Sequence, residues 1–240
     1  MNDAVIWHDV ENGGYDADLP LWRELAARIG GRILDLGAGT GRVALDLAAA
    51  GHDVTALDSD AVLLDELARR AREGGLEVAC LHSDARRIGS IGSFSLVIAP
   101  MQFLQIMGGP TERAKLLASV AGCLAPSGTF ATAIADLDEA VAAEDASPPV
   151  PDVGQSGDWI YSSLPLDVRP EPGGVAVEWL RQIVSPAGTL TEERHTQMLD
   201  SLTVEQLERE AAAHGLHPIA RHEVSQTPAY VGSTVVVCRR

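Results

Sequence analysis

The residues of this sequence whose spacing most clearly indicates chemistry are three glycines at the end of an apolar run. Gly37, Gly39 and Gly41 lie in the segment ILDLGAGTGRVALDLAAAGHDVTALDSD, residues 33–60, where a strand-like run passes into a helix-like one. Glycines at such a turn let a ligand approach the backbone, and the helix start offers free N–H groups. Asp58 ends the next apolar run, where a carboxylate can bind the hydroxyls of a ribose. The pattern predicts a site for a nucleotide-type cofactor.

The details of the glycine segment distinguish between cofactors. The dinucleotide fingerprint is GxGxxG, but the segment reads GxGxG and continues with Arg42, and the phosphate-loop pattern GxxxxGK[ST] is absent. Asp35 stands two residues before Gly37. A carboxylate there repels a pyrophosphate and attracts an ammonium or a sulfonium, by about 1 kcal/mol or more when partly buried. These residues favour a positively charged cofactor over a dinucleotide, whereas Asp58 suits either.

The elements that must position these residues alternate along the first half of the chain. Apolar runs predict strands at 32–36, 53–57, 76–82, 95–99 and 129–135. Amphipathic stretches predict helices at 19–29, 40–50, 61–73 and 111–124. Asp18 is expected to cap the first helix, and Trp22 is expected to pack in the core. Strands that alternate with helices predict a parallel sheet with right-handed crossovers.

This rhythm changes after the fifth strand. Residues 140–157 are rich in Pro, Ala, Ser and acids and predict a long mobile loop. Further strands are expected at 159–169, 175–185, 189–199, 219–224 and 233–238. The first three predict an antiparallel insertion, and the last two predict an antiparallel pair. Between them Thr203 and Gln206 have the spacing of a helix capping box.

Composition excludes several classes of partner. The formal net charge of the 240 residues is −16, which argues against nucleic acid and against an anionic membrane surface. The cysteines Cys80, Cys123 and Cys238 form no CxxC pair, so we expect reduced core thiols and no zinc site. No secretory signal and no apolar run long enough to span a membrane is present. We expect a cytoplasmic protein.

Five motifs give the chain a family resemblance over about residues 33–136. LDLGAGTG and ALDSD resemble the first two motifs of class I S-adenosylmethionine-dependent methyltransferases. CLHSDARRI resembles the third motif, FSLVIAPMQFLQIM resembles the motif at the end of the fourth strand, and LAPSGTFATAI resembles the motif leading into the fifth. The order and spacing of the motifs strengthen the match, and the insertion resembles the substrate cover of small-molecule methyltransferases.

The resemblance implies an α/β fold of the Rossmann-like type. Its mostly parallel seven-stranded sheet has the order 3-2-1-4-5-7-6, with the last strand antiparallel, helices on both faces and an antiparallel β insertion. Residues 1–240 are expected to form a single methyltransferase domain. Its parts would be an N-terminal lid or helix (1–30), a cofactor-binding core (31–138), a loop with a three-stranded insertion that covers the substrate (140–200), and the last helix and strands (201–240).

The resemblance also implies which residues contact S-adenosylmethionine. Asp35 would lie near the amino group, Asp58 at the ribose and Asp84 at the adenine, while the glycine segment passes under the methionine end. The full set is Tyr15, Asp35, Gly37, Ala38, Gly39, Gly41, Asp58, Ser59, Ser83, Asp84, Ala85, Ala99, Pro100 and Gln102. Tyr15 would close over the cofactor, and the last three residues would lie where cofactor and acceptor meet. No metal is expected, and the product would be S-adenosylhomocysteine.

The expected reaction transfers a methyl group to an O or N atom of a small molecule. A general base is needed only if the acceptor is still protonated at the working pH, and the candidates are Asp136, His222 and His195. Trp159, Tyr161 and Arg181 are candidates for binding the acceptor, because the insertion holds many of the few aromatic residues. The structural alternative for these three is a small core between the insertion and the domain.

Two other functions remain open from the sequence. An NAD(P)-dependent oxidoreductase would need the third fingerprint glycine that position 42 lacks. A catalytically silent cofactor-binding or scaffold protein would not need the insertion.

Trp7 and His8 could form part of a lid, and the protein is expected to be a monomer or a homodimer. The sequence does not identify the methyl acceptor.

Overall fold

A computed structural model describes residues 3–89, 91–135, 137, 150–227 and 230–240. The strands are β1 (Ile33–Leu36), β2 (Val54–Asp58), β3 (Val78–His82), β4 (Phe94–Ala99), β5 (Leu124–Ala135), β6 (Asp152–Ser156), β7 (Trp159–Glu171), β8 (Gly174–Val184), β9 (Leu190–Asp200), β10 (His217–Val224) and β11 (Ser233–Arg239). The helices are α1 (Asp3–Asn12), α2 (Leu19–Ile29), α3 (Arg42–Ala49), α4 (Ala61–Glu73), α5 (Pro110–Cys123) and α6 (Val204–Ala213). A short 3-10 turn spans Ala85–Arg87. Among the described residues, no helix is long and apolar enough to cross a membrane.

The main sheet has the predicted strand order. Its described strands run β10-β11-β5-β4-β1-β2-β3, and β1 pairs in parallel with both β2 and β4. Strand β11 is antiparallel to β5 and to β10. With β10 and β11 counted as the sixth and seventh strands, the order is 3-2-1-4-5-7-6, which confirms the prediction. The loops after β1, β2, β3 and β4 therefore share one edge of the sheet, where α/β folds bind ligands.

Hydrophobic side chains cover both faces of this sheet. On one face α2, α3 and α4 pack Leu25, Leu47 and Leu67 against the strands. On the other face α5 and α6 contribute Leu116 and Leu207. Every residue of β1 is buried, Asp35 included, which explains why its other three residues are all apolar, since a strand with helices on both sides shows no polar alternation. Trp22 is fully buried, so its predicted packing role is confirmed.

The two predicted helix caps have different outcomes. At α6 the Thr203 hydroxyl accepts from the Gln206 backbone N–H at 3.2 Å, and the Gln206 side chain accepts from the Thr203 N–H at 2.9 Å. This capping box is confirmed. At α2 Asp18 occupies the predicted N-cap position, but it has helical backbone angles and its side chain bonds no backbone N–H of the helix, so the expected capping hydrogen bond is absent. Its carboxylate instead accepts from the Trp22 indole at 2.8 Å and from Arg42.

The insertion is a four-stranded antiparallel sheet, not the predicted three-stranded one. Its order is β6-β7-β8-β9, and the additional strand β6 falls inside the segment 140–157 that was predicted as a loop. The sequence DVGQS of β6 has little β character, and pairing with β7, such as Gly154 with Tyr161, holds it in the sheet. The first part of the predicted loop, residues 140–149, lies outside the described residues.

Candidate active site

The glycine segment forms a tight loop between β1 and α3. Gly37, Gly39 and Gly41 have φ angles of 67°, 53° and 100°, in the left-handed region that glycine adopts without a steric penalty. Gly41 is the N-cap of α3, and the Ala38 N–H donates to the Leu57 carbonyl at 3.0 Å. The loop is thereby fixed against the end of β2, with the start of α3 next to it.

Protein side chains fill the space that Cβ atoms would need at two of these glycines. A Cβ placed on Gly37 would come much closer to the Phe103 ring than the 3.0 Å that real Cβ atoms keep. A Cβ placed on Gly39 would also come much closer than 3.0 Å to another side-chain atom, His8 Nε2. Phe103 follows β4, and His8 belongs to α1. The glycines are therefore required by packing as well as by backbone conformation, and α1 lies directly on the predicted cofactor loop.

Asp58 joins this loop to the next one. Its Oδ2 accepts from the Gly39 N–H at 2.8 Å, and its Oδ1 accepts from the Asp60 N–H at 2.9 Å. Each carboxylate oxygen can accept two hydrogen bonds, so both oxygens retain capacity for a ligand. A half-buried carboxylate oriented by two backbone donors is well suited to the hydroxyl pair of a ribose.

Asp35 is a buried acid with an unsatisfied oxygen. The side chain is 1% exposed, and its Oδ1 has no hydrogen-bond partner among the described residues. Burial raises the pKa of Asp35 to about 7; Arg42 opposes the shift, and the neighbouring charges of Asp58 and Asp18 add to it. Unsatisfied buried polar atoms are rare and often mark functional sites. A positively charged donor such as an ammonium group would satisfy Oδ1 and favour its ionised form.

Arg42 anchors the helix start behind this acid. Its guanidinium donates to both Asp18 oxygens, at 2.5 and 2.9 Å, and to the Tyr15 carbonyl at 2.9 Å. It also lies 5.0 Å from the centre of the Tyr15 ring, which in turn packs 4.9 Å from the ring of Tyr230. Tyr15 is buried in this group, and its predicted contact with the cofactor stays a prediction.

The residues of the second and third motifs lie at the ends of β2 and β3. The Ser83 N–H donates to the Asp58 carbonyl at 3.0 Å, and the Ser59 carbonyl lies 3.0 Å from the ring nitrogen Nε2 of His82. Asp84 precedes the 3-10 turn and accepts from the Arg86 N–H at 2.9 Å and from its guanidinium at 2.7 Å. Hydrogen bonds from Arg86 lower the pKa of Asp84. The predicted adenine residues therefore share the sheet edge with the glycine loop.

The segment after β4 turns sharply beside the loop. Met101 has a φ of 56°, unusual for a residue with a side chain, and the Gln102 carbonyl accepts from the Gln105 N–H at 2.8 Å. The Ala99 carbonyl accepts from the Thr132 hydroxyl at 3.1 Å. Pro100 and Gln102 are half-buried at this turn. The turn places Phe103 on Gly37, so the two segments pack together.

Gln105 holds this turn to β5 and was not predicted. It is fully buried, donates to the Ala135 carbonyl at 3.1 Å and accepts from the Ala135 N–H at 2.8 Å. Its own carbonyl accepts from the Asp200 N–H at 2.6 Å. The side chain and the backbone carbonyl of this one residue thus join the segment after β4 to the ends of β5 and β9. The available signal was a glutamine between apolar residues in FLQIM.

Replacing Gln105 with Leu should destabilise the protein by about 3 kcal/mol, because two buried backbone groups of Ala135 lose their partners. The free energy of unfolding from urea titrations measures this change. Gln182→Leu is the matched control, since Gln182 bonds Glu192 on an exposed surface and should change stability by less than about 0.5 kcal/mol. Equal effects of the two substitutions would contradict the assigned role.

The insertion is attached to the domain through α1. Arg181 donates to both oxygens of Glu11 at 2.7 Å, and the Ser163 hydroxyl donates to Glu11 at 2.8 Å. Tyr161 packs edge-on against Trp7 with ring centres 5.5 Å apart. Tyr161 and Arg181, predicted to bind the acceptor, thus contact the N-terminal helix, which corresponds to the structural alternative. Their role toward an acceptor stays a prediction.

One face of the insertion is turned toward the domain. On β8, Val175 and Val177 pack with Ala135 at the end of β5, and Ile183 packs with the residues of α1. Trp179 is two residues from Val177 and four from Ile183 along β8, so its side chain lies on the same face of the strand, between these two contacts. His195 on β9 is directly opposite in the register, with its ring centre 6.0 Å from that of Trp179. Trp179 and His195 therefore occupy the middle of the covering face.

The three candidate bases have separate locations. Burial, and then the charge of Arg181, lower the pKa of His195 below its usual value, so the ring is neutral at pH 7. His222 lies on the edge strand β10 and lines a groove with Pro20 and Leu21 of α2; its buried Nε2 has no partner among the described residues. Asp136 lies outside the described residues. Of the two candidate histidines, His195 and His222, only His195 is on the covering face of the insertion.

Trp159 starts β7 next to the β6 hairpin and is 44% exposed. Within the described ranges, no group of three or more His, Cys, Asp or Glu side chains could hold a metal ion.

Comparisons with known proteins agree with this geometry. Residues 33–128 match the family model described as a methyltransferase domain, and no curated protein matches the chain by sequence. An S-adenosylmethionine-dependent methyltransferase from Clostridium acetobutylicum is similar, with 13% identity, 99% of this chain and 97% of that chain covered, and a TM-score of 0.75.

Two further solved structures have similarly complete coverage. The amino pentose methyltransferase CalS10 from Micromonospora echinaspora, solved with bound S-adenosylmethionine, has 18% identity, coverage of 100% and 98%, and a TM-score of 0.71. The sugar N-methyltransferase KedS8 from a Streptoalloteichus species has 15% identity, coverage of 100% and 94%, and a TM-score of 0.74. Residues 33–128 are thus similar to a methyltransferase domain, and the chain has the fold of the class I S-adenosylmethionine-dependent methyltransferases.

Proposed function

We propose that this protein transfers a methyl group from S-adenosylmethionine to an N or O atom of a small molecule. The observation that carries the proposal is the buried Asp35, whose Oδ1 has no partner among the described residues. This acid stands before a glycine loop in a chain with the methyltransferase fold. An ammonium group is the donor that this oxygen needs, and the methionine end of the cofactor carries one.

The residues around the loop divide the cofactor between them. Asp35 would bind the ammonium, Asp58 the ribose, and the segment at Asp84 the adenine. When bound, S-adenosylmethionine supplies a methyl group that is already activated by the positive charge on its sulfur. The protein must therefore mainly orient the acceptor and exclude water. The N-terminal helix α1 and the insertion are suited to this exclusion, because they meet through Glu11 and Arg181 beside the loop.

In our proposal, the face of the insertion that carries Trp179 and His195 forms the binding site for the methyl acceptor. A protonated amine has no lone pair to attack with, so an amine acceptor must first lose a proton. A neutral His195 can take it. Two of the similar proteins support an amine acceptor, because CalS10 is described as an amino pentose methyltransferase and KedS8 as a sugar N-methyltransferase. We therefore infer an amine of a sugar-like small molecule as the preferred acceptor class, with a hydroxyl as the second.

The test of this function measures S-adenosylhomocysteine formed during incubation with S-adenosylmethionine and a panel of amino sugars and hydroxylated small molecules. We expect turnover with at least one amino sugar. Asp58→Ala should remove that turnover, because the ribose loses its carboxylate. Absence of methyl transfer across the panel, with the cofactor bound, would instead favour a catalytically silent binding protein.

Replacing His195 with Gln should reduce kcat with an amine acceptor by about 100-fold at pH 7, because proton removal by a side chain contributes about that factor. The loss should shrink at high pH, where the amine is already neutral, and cofactor affinity should not change. His217→Gln is the control, since His217 is exposed at the start of β10. A loss that stays constant across the pH range would count against His195 as the base.

A further inference from the structure

The N-terminal helix places a histidine directly on the glycine loop. His8 on α1 packs its Nε2 against Gly39, in the space that a Cβ at that residue would occupy. The other ring nitrogen, Nδ1, is 3.2 Å from the hydroxyl of Thr40, the next residue of the same loop. His8 is thus held by the loop at one nitrogen and faces it with the other.

The hydrogen bonds of Thr40 determine which nitrogen of His8 carries the proton. The Thr40 hydroxyl has one hydrogen, and it donates that hydrogen to Asp9 Oδ1 at 2.7 Å. Asp9 also accepts from both terminal nitrogens of Arg70. The Thr40 oxygen can therefore only accept from His8, so Nδ1 carries the hydrogen. In the neutral ring Nε2 is then a bare acceptor.

The surroundings of His8 keep its ring neutral at pH 7. Burial, the largest effect, lowers the pKa of His8 below 6.5, and the charge of Arg70 on α4 lowers it further. Asp9 and Glu11 on α1 and Asp58 at the end of β2 act in the opposite direction without reversing the shift. The acceptor form of Nε2 is therefore the form present at neutral pH.

The bare Nε2 has no donor in its surroundings. Among the described residues, it makes no hydrogen bond, and the N–H of the contacting Gly39 already donates to Asp58 Oδ2 at 2.8 Å. His8 Nε2 and Asp58 Oδ2 are thus two acceptors that both lie next to Gly39. A ribose, with two adjacent hydroxyl donors, matches that pair. Gly39, which contacts His8, donates its N–H to Asp58, and this places His8 beside the predicted ribose ligand.

We propose that His8 is a cofactor-binding residue whose Nε2 accepts a hydrogen bond from a ribose hydroxyl beside Asp58, a role that rests on the proposed function. The cofactor would thereby bind to α1 directly. The same helix is joined to the insertion through Glu11 and Arg181. Binding of the ribose would stabilise the helix that connects the cofactor loop to the acceptor cover.

Calorimetric titration with two probes tests this role. Both probes contain the adenine and the ribose. S-adenosylhomocysteine also carries the ammonium group, which 5′-methylthioadenosine lacks. His8→Ala should weaken both probes by the same factor, about tenfold for one hydrogen bond. His8→Gln, which retains an acceptor oxygen, should recover most of the loss. Asp35→Asn should weaken S-adenosylhomocysteine alone. Unchanged binding to His8→Ala, or a loss limited to S-adenosylhomocysteine, would overturn the proposal.

A pH series separates ligand contact from mere support of α1. Wild-type affinity for 5′-methylthioadenosine should fall as the pH drops through the pKa of His8, because protonation converts Nε2 from acceptor to donor. His8→Gln should show no such fall. Nitrogen NMR should show the Nδ1–H form, with the Nε2 signal shifting when the probe binds. Identical pH profiles for the two proteins would show a structural role only. Failure of the wild-type protein to bind either probe would instead overturn the proposed function.

Discussion

Replacing Asp35 with Asn should lower the affinity for S-adenosylhomocysteine by about 100-fold, because the ammonium loses a buried ionised acceptor worth about 2–3 kcal/mol. The same substitution should stabilise the ligand-free protein at pH 8. Asp35 is buried with one oxygen unsatisfied, and burial raises its pKa to about 7. Its ionisation above that pH therefore opposes folding.

The direction of the pH effect follows from the two pKa values. In the unfolded chain Asp35 titrates near 3.8, so between pH 4 and 7 the folded protein binds more protons than the unfolded one. The stability contributed by this group is complete below pH 4 and is lost as pH rises toward 7. The full shift corresponds to at most about 4 kcal/mol, and we expect about half of that for Asp35→Asn at pH 8.

Thermal unfolding of ligand-free wild type and Asp35→Asn from pH 4 to 8 measures the effect. The two curves should coincide near pH 4 and separate with rising pH, the variant being more stable. Asp53→Asn is the control, since that acid is exposed and should follow the wild type. A variant that is less stable than the wild type at pH 8, or one that binds S-adenosylhomocysteine normally, would contradict the assignment.

Replacing Gly39 with Ala should cost about 3 kcal/mol of stability and lower cofactor affinity by more than 100-fold. About 1 kcal/mol comes from the left-handed backbone at φ 53°, and the rest comes from collision of the new Cβ with His8. Gly51→Ala is the matched control. Gly51 also has a positive φ, 88°, but a Cβ there meets nothing within 4 Å, so only the backbone cost should appear.

The double variant Gly39→Ala with His8→Ala tests the source of this cost. Removing the ring makes room for the new Cβ, so we expect about 2 kcal/mol of coupling between the two substitutions. Urea unfolding of the two single variants, the double variant and Gly51→Ala provides the numbers. Strictly additive effects would mean that His8 does not pack on Gly39 in solution.

The core of the fold was accessible from the sequence because its signals are local. Mainly apolar runs such as Ile33–Leu36, in which Asp35 is the one polar residue, indicate strands buried on both faces, and glycines after the first run indicate the loop. The family resemblance then supplied the strand order. These features depend on the composition of short segments and not on distant contacts.

The remaining features depend on contacts between distant segments. Helix α1 buries three consecutive residues, Val5, Ile6 and Trp7, so it lacks the spacing of an amphipathic helix. It is held by partners such as Arg181, 170 positions away from Glu11. The pairing of Gln105 with Ala135 likewise arises only in the folded chain. For the same reason, residues of the insertion that were predicted to bind an acceptor contact α1.

The central claim is that the glycine loop and Asp35 bind S-adenosylmethionine rather than a nicotinamide cofactor. Calorimetric titration of the wild-type protein with S-adenosylhomocysteine and, separately, with NADH tests it most directly. We predict saturable binding of S-adenosylhomocysteine that Asp58→Ala weakens, and no binding of NADH at the same concentrations. Binding of NADH without binding of S-adenosylhomocysteine would contradict the claim.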